Sequence, residues 1–136
     1  RGAVGIMQLL PSTAADPNVN IGNLKKLENN IHAGTKYLAF IRDRYFNDAA
    51  INTENRLALS WAAYNAGPAR VLKMRDKAEK MGLDPNIWFS NVELAAGKMT
   101  GRETVQYVAN IYKYYVAYKL ASQVTRTDAV PISGAR

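Results

Sequence analysis

The sequence predicts a mainly α-helical domain with little or no sheet. Apolar residues recur at alternating steps of three and four, which is the period of helices with one buried face. No stretch alternates apolar and polar residues long enough to form a convincing strand. With 136 residues, 48% of them hydrophobic, the chain fits one compact domain. We expect this domain to cover residues 1–124 and residues 125–136, which lose the periodicity, to form a loosely held tail.

The first two long helices are predicted from apolar spacing and from end signals. The first covers residues 28–46, and Thr53 is a good N-cap for the second, which ends at Gly67-Pro68. The buried face of the first helix is predicted to consist of Ile31, Gly34, Leu38, Ile41 and Tyr45.

Three more helices are predicted after Gly67. One covers residues 68–81, and a short one starts at Asp84-Pro85, which have the cap and first-residue pattern. The last long helix starts with a capping box, in which Thr100 and Glu103 have the required spacing, and continues to about residue 120. Loops are expected at residues 16–23, 47–52 and 96–101.

Composition restricts the classes of function. The net charge of +7 favours an acidic partner, but the basic residues are scattered rather than gathered on one recognition helix, so we expect no nucleic-acid binding. Without cysteine the chain has no thiol nucleophile, disulfide or thiolate metal site. The single His32, expected to pack or to lie at the surface, excludes a zinc site of several histidines, and we expect no metal or other cofactor. No apolar run is long enough for a membrane span.

Three separated strings of residues carry a resemblance to a known family. They read GAVGIMQLLPSTA over residues 2–14, AAYNAGP over residues 62–68 and ETVQYV over residues 103–108. In this order, with helices between them, they resemble the catalytic domain of bacterial lytic transglycosylases of the SLT type. The segment around Asn86-Ile87-Trp88-Phe89 is most similar to the membrane-bound F type. The resemblance extends to about Leu120 and implies a helical fold like that of goose-type lysozyme.

The resemblance also implies a reaction and a location. Such enzymes cleave peptidoglycan between N-acetylmuramic acid and N-acetylglucosamine and leave a 1,6-anhydromuramic end. One carboxylic acid protonates the leaving oxygen and then, as carboxylate, takes the proton of the C6 hydroxyl that closes the ring in place of water. The implied partner is the glycan strand, and the implied location is the bacterial periplasm or cell envelope, in a parent protein that can be membrane-associated.

The catalytic acid of the family is a glutamate upstream of the motif that Gly5-Ile6-Met7-Gln8 resembles. We therefore expect this glutamate upstream of Arg1 in a longer protein, no catalytic residue in this chain, and little or no lytic activity of the chain alone. The alternatives are a non-catalytic peptidoglycan-binding or structural module on the same fold and a hydrolytic muramidase. The other glutamates are expected to be ordinary solvated residues: Glu28, Glu54, Glu79 and Glu93.

Six residues of the three strings are the candidates for substrate binding by resemblance. Each has a structural interpretation as well: the methionine can pack in the core, Tyr64 and Asn65 can close a helix end, and Glu103 can be the capping-box residue that bonds back to Thr100. For Asn65 the structural role is the favoured one. The candidates are Met7, Gln8, Tyr64, Asn65, Glu103 and Tyr107.

Overall fold

A computed structural model describes the backbone of residues 2–134 and the side chains of residues 2–125. This part of the chain forms six α-helices, and its one extended pairing is an isolated bridge between Val4 and Leu9. The prediction of a mainly helical fold is confirmed. The helices are α1 (Pro11–Ala15), α2 (Leu27–Tyr45), α3 (Thr53–Ala66), α4 (Pro68–Lys80), α5 (Glu93–Thr100) and α6 (Arg102–Gly134).

Helix α3 lies at the centre of the molecule, where α2, α4 and α6 all pack against it. Its residues 58–63 are buried, and most of them are small, which lets the surrounding helices approach closely. The buried hydroxyl of Ser60 donates a hydrogen bond to the carbonyl oxygen of Arg56 at 2.7 Å. The polar side chain of Ser60 therefore has a partner in the core.

The three helices predicted before Gly82 are confirmed as α2, α3 and α4, with one change at a helix start. The N-cap of α3 is Asn52 rather than Thr53: the Oδ1 atom of Asn52 accepts a hydrogen bond from the backbone N–H of Asn55 at 2.9 Å. Thr53 is the first residue of the helix instead. The predicted loops over residues 16–23 and 47–52 also lie outside helices.

The buried face of α2 agrees with the prediction except near its start: Gly34 and Ile41 are buried, and Leu38 and Tyr45 are half-buried. Ile31 is 43% exposed, whereas Asn30 is fully buried together with Ala33, Gly34 and Ile41. The prediction relied on apolar side chains, and a buried asparagine violates that assumption. It is tolerated because its amide group finds partners in the interior.

The chain after Gly82 departs most from the prediction. No helix starts at Asp84-Pro85: the carboxylate of Asp84 accepts the backbone N–H of Asn86 at 2.8 Å and closes a turn. An irregular turn follows over Trp88–Val92, with Ser90 in the left-handed region at φ 63°. The fully buried Trp88 fixes this turn, since its backbone N–H donates to the side chain of Asn55 at 2.9 Å.

Helix α5 occupies all but the last residue of the predicted loop over residues 96–101, and the predicted capping box does not form. Thr100 is the last residue of α5, and its hydroxyl donates to the carbonyl oxygen of Ala96 at 3.0 Å. Gly101, at φ 76°, makes the sharp turn into α6. Thr100 thus ends one helix rather than capping the next.

Helix α6 continues past the point where the sequence loses its periodicity. Its backbone is helical to Gly134, so Thr125 does not end the helix as expected for a tail. Extending an existing helix costs less than starting one, which explains why weak signals do not stop it. Residues 135 and 136 lie outside the described residues, and the domain boundary after residue 124 stays a prediction.

Candidate functional site

A tight loop over Gly5–Gln8 forms one wall of the candidate site. The bridge between Val4 and Leu9 closes this loop with two backbone hydrogen bonds of 2.8 and 3.1 Å. Gly5 and Gln8 are both in the left-handed region, at φ 76° and 49°. At Gly5 only glycine fits, because a Cβ atom there would lie 2.2 Å from the amide nitrogen of Asn30. The exposed side chain of Gln8 donates to the carbonyl oxygen of Gly5 at 2.8 Å.

Asn30 on α2 holds this loop against the body of the domain. Its Oδ1 atom accepts the backbone N–H of Met7 at 2.8 Å. Its Nδ2 group donates to the carbonyl oxygens of Val4 at 2.7 Å and Leu24 at 3.1 Å. One buried amide thereby satisfies three backbone groups that the helices do not pair.

Met7 contacts α2 through its side chain and α3 through its backbone carbonyl. Its side chain lies on Gly34, where an added Cβ atom would come within 2.7 Å of the methionine. The hydroxyl of Tyr64 donates to the carbonyl oxygen of Met7 at 2.7 Å. A direct hydrogen bond therefore joins the first string, in the loop, to the second string, in α3.

An open cleft of about 380 Å³ lies between this loop and helices α2, α3 and α6. It is largely apolar, with a small number of amide and hydroxyl groups, which is the usual character of a site for an organic ligand. The cleft brings together five of the six candidate residues: Met7, Gln8, Tyr64, Asn65 and Tyr107. Its other lining residues are Ile6, Leu38, Trp61 and Ile111.

The two tyrosines of the cleft remain hydrogen-bond donors over a wide pH range. Burial raises the pKa of the Tyr64 phenol well above its ordinary value, and the nearby phenols of Tyr107 and Tyr37 raise it further. Burial likewise raises the pKa of Tyr107. The rings of Tyr64 and Tyr37 are in tilted contact with centroids 5.5 Å apart, which fixes the orientation of the Tyr64 hydroxyl.

Asn65 lies at the cleft and also makes a structural hydrogen bond. It lines the cleft, and its Oδ1 atom accepts a hydrogen bond from the hydroxyl of the buried Thr104 at 2.8 Å. This bond ties the end of α3 to the start of α6. Because the Oδ1 atom of Asn65 is engaged by Thr104, the Nδ2 group is the part of the amide that can donate to other partners.

Glu103 is the candidate that the structure does not place in the cleft lining. It is exposed in the first turn of α6, one turn before Tyr107, and the predicted bond to Thr100 is absent among the described contacts. Within the described side chains, no carboxylate lines the cleft. These residues can therefore bind and orient a ligand through apolar contact and hydrogen bonds, but they supply no carboxylic acid.

Several residues of the site were not found from the sequence. Asn30 escaped because asparagine does not count in an apolar pattern, although its spacing of four from Gly34 places both on one helix face. Trp61 and Ile111 follow the helical period of α3 and α6 and read as ordinary core residues. Ile6 gave a signal only through the motif, and it is 72% exposed at the mouth of the cleft.

Among the described residues, none of the helices combines the length and the apolar character required to cross a bilayer. The finding agrees with the absence of a long apolar run in the sequence, and it concerns only that part of the chain.

Comparison with known proteins identifies the family. Residues 1–88 match the family described as the transglycosylase SLT domain. Over 84% of its length the chain is similar to proteins named membrane-bound lytic murein transglycosylase F: it is 34% identical to that of Desulfosudis oleivorans, 32% to that of Pseudomonas fluorescens and 33% to that of Shewanella woodyi. It covers 27%, 25% and 26% of these relatives, so it spans about a quarter of their length. The resemblance that the three strings indicated is confirmed, and the chain belongs to the transglycosylase SLT domain family.

Proposed function

We propose that this chain is the glycan-binding part of a peptidoglycan lytic transglycosylase. The observation that carries the proposal is the cleft. One cavity of about 380 Å³ is lined by residues from all three strings, with Tyr107 representing the third. Apolar walls with a few hydroxyl and amide groups suit the alternating apolar faces and polar edges of a sugar chain. The names of the relatives support murein as the polymer and the cell envelope as the location.

In the proposed reaction the bond between C1 of N-acetylmuramic acid and the bridging oxygen breaks. A carboxylic acid gives its proton to that oxygen, and the C6 hydroxyl of the same sugar attacks C1. The carboxylate then accepts the C6 hydroxyl proton, so that the acid is regenerated and no water is consumed. The tyrosine and amide groups of the cleft would hold the muramic ring in the position that this attack requires.

The acid itself would come from outside the residues that line the cleft. The proposal assigns it to the glutamate that the family carries upstream of the loop over Gly5–Gln8. Tyr64 is the cleft tyrosine that is tied to that loop, because its hydroxyl donates to the carbonyl oxygen of Met7 at 2.7 Å. Tyr64 would then position the sugar or the acid without transferring a proton, since its raised pKa keeps the phenol neutral.

The test is product analysis with the protein at the length its gene encodes. Purified peptidoglycan is incubated with the protein, the soluble muropeptides are separated, and their masses are measured by mass spectrometry. The proposal predicts products with 1,6-anhydromuramic ends, each lighter by one water than the hydrolysis product. Reducing muramic ends instead would identify a hydrolytic muramidase.

A second candidate function is a non-catalytic glycan-binding module. It is favoured by the lack of any carboxylate among the described side chains that line the cleft. This alternative predicts that the protein sediments with insoluble peptidoglycan and releases no soluble fragments. If the protein binds peptidoglycan but releases no soluble fragments, it is a glycan-binding module and the proposal of an enzyme is wrong.

A further inference from the structure

The cleft-lining face of α6 continues beyond the cleft. Tyr107 and Ile111 line the cleft, and Tyr114 and Tyr118 follow them at steps of three and four along the same helix. At 100° per residue these four side chains fall within an arc of about 60°. The face is therefore one continuous row rather than two separate groups.

The outer part of this row is largely solvent-exposed, and the Lys113 ammonium group lies 6.0 Å from the centroid of the Tyr114 ring. Tyr114 is 68% exposed and Tyr118 is 73% exposed, although tyrosine normally buries much of its ring in a folded domain. The core of α6 points elsewhere, because the fully buried Val108 and the ring of Tyr115, packed on Trp61 at 5.5 Å, lie on the neighbouring face. The two exposed rings thus contribute little to folding.

The spacing of the row suits a sugar chain that leaves the cleft. With a rise of 1.5 Å per residue, Tyr114 lies about 10 Å and Tyr118 about 16 Å along the axis from Tyr107. The first distance is about the length of a disaccharide. A tyrosine offers a flat apolar ring and a hydroxyl at its edge, which matches a pyranose with its apolar face and polar rim.

We infer that Tyr114 and Tyr118 form an extended glycan subsite, which binds the sugars of a long strand after they pass Tyr107. The inference rests on the proposed function, because it requires a glycan in the cleft. The occupant is a glycan rather than a second protein because the row is continuous with the cleft and consists of single rings at the spacing of sugar units. The subsite would make the domain prefer long strands over short fragments.

The experiment compares glycan probes of two lengths. The full chain is titrated with a tetrasaccharide and an octasaccharide of alternating N-acetylglucosamine and N-acetylmuramic acid, and binding is measured by calorimetry. The unchanged protein should bind the octasaccharide more tightly. The double variant Tyr114→Ala/Tyr118→Ala should weaken octasaccharide binding about tenfold and leave tetrasaccharide binding unchanged.

The matched control is Leu120→Ala/Val124→Ala, which removes exposed side chains from a different face of the same part of α6. It should bind both probes like the unchanged protein. Equal affinity of the unchanged protein for both probes overturns the subsite alone, whereas no binding of either probe overturns the proposed function as well. If the tyrosine variant loses self-association in sedimentation but keeps its octasaccharide affinity, the row is a contact between copies and the inference is wrong.

Discussion

At the scale of single residues, Asn30 holds the cleft wall formed by the Gly5–Gln8 loop, although it belongs to none of the recognised strings. It is fully buried, and its amide satisfies Met7, Val4 and Leu24 at once. The strings identified five residues that line the cleft, because chemistry-bearing residue types in a familiar order point to a site. They could not identify Asn30, since its role depends on backbone groups that come close only in the folded chain.

Asn30→Ala is therefore expected to destabilise the domain strongly. The Met7 N–H and the Leu24 carbonyl lose the side-chain partner, and the Val4 carbonyl keeps only the N–H of Leu9, so the free energy of unfolding should fall by about 3 kcal/mol. Urea denaturation monitored by circular dichroism measures this loss. The control is Asn29→Ala on the same helix, whose amide bonds of 3.1 and 3.4 Å are exposed; it should cost less than about 1 kcal/mol. Equal losses in the two variants would show that Asn30 does not hold the loop.

Tyr64→Phe should change the alkaline stability of the domain as well as its cleft. The variant loses the 2.7 Å bond to Met7, which should cost about 1 kcal/mol at neutral pH. Burial raises the pKa of folded Tyr64 above the ordinary value of 10.0, so the unfolded chain releases this proton at lower pH than the folded one. The contribution of Tyr64 is complete below pH 10 and is lost as the pH rises above it.

Unfolding free energies measured at neutral pH and at a pH of about 11 test this expectation. The stability of the unchanged protein should fall more steeply with pH than that of the Tyr64→Phe variant. Part of the slope will remain in the variant, because burial also raises the pKa of Tyr107 and of Tyr37. Tyr114→Phe, at an exposed position, is the control and should match the unchanged protein. Parallel slopes for all three proteins would contradict the assigned role of Tyr64.

At the scale of helices, the sequence was sufficient wherever a regular period and end signals agreed. Helices α2, α3 and α4 satisfy this condition, and Gly67-Pro68 separates the last two as expected. Helix α5 does not, because its start depends on the burial of Trp88 and on the contact of Trp88 with Asn55, which is distant in sequence. Local signals at Asp84-Pro85 were outweighed by this tertiary contact.

The start of α3 provides a test of how finely a helix boundary can be assigned. Asn52→Ala removes the side-chain acceptor of the Asn55 backbone N–H and should reduce the free energy of unfolding by about 1 kcal/mol. Thr53→Ala, at the first helical position, should change it by less than about 0.5 kcal/mol. Thermal or urea unfolding of both variants measures the difference. A larger loss at Thr53 than at Asn52 would restore the cap that the sequence predicted.

At the scale of the whole molecule, the helices arrange residues that are far apart in sequence around one cleft. Tyr64 and Tyr37 pack against two hydrophobic cores, the main one around the buried residues of α3 and a smaller one. The smaller core consists of Leu9, Ala14, Val19, Leu24 and Ala33. The order of the three strings predicted this convergence only through the family resemblance. Their spacing alone contains no information on how the helices cross, which is set by the small residues of α3 and by the packing of its neighbours.

The 136 residues alone are expected to bind peptidoglycan glycan strands without cleaving them. The cleft supplies apolar and hydrogen-bonding contacts for binding, but no carboxylate among its described lining residues can protonate the leaving oxygen. Calorimetry with a glycan oligosaccharide and mass spectrometry of the products measure the two properties separately. Formation of anhydromuropeptides by this chain alone would show that one of its own carboxylates acts as the acid. Glu103, one turn before Tyr107, would then be the first to examine: Glu103→Gln should abolish turnover if it is that acid and leave turnover unchanged if it is not.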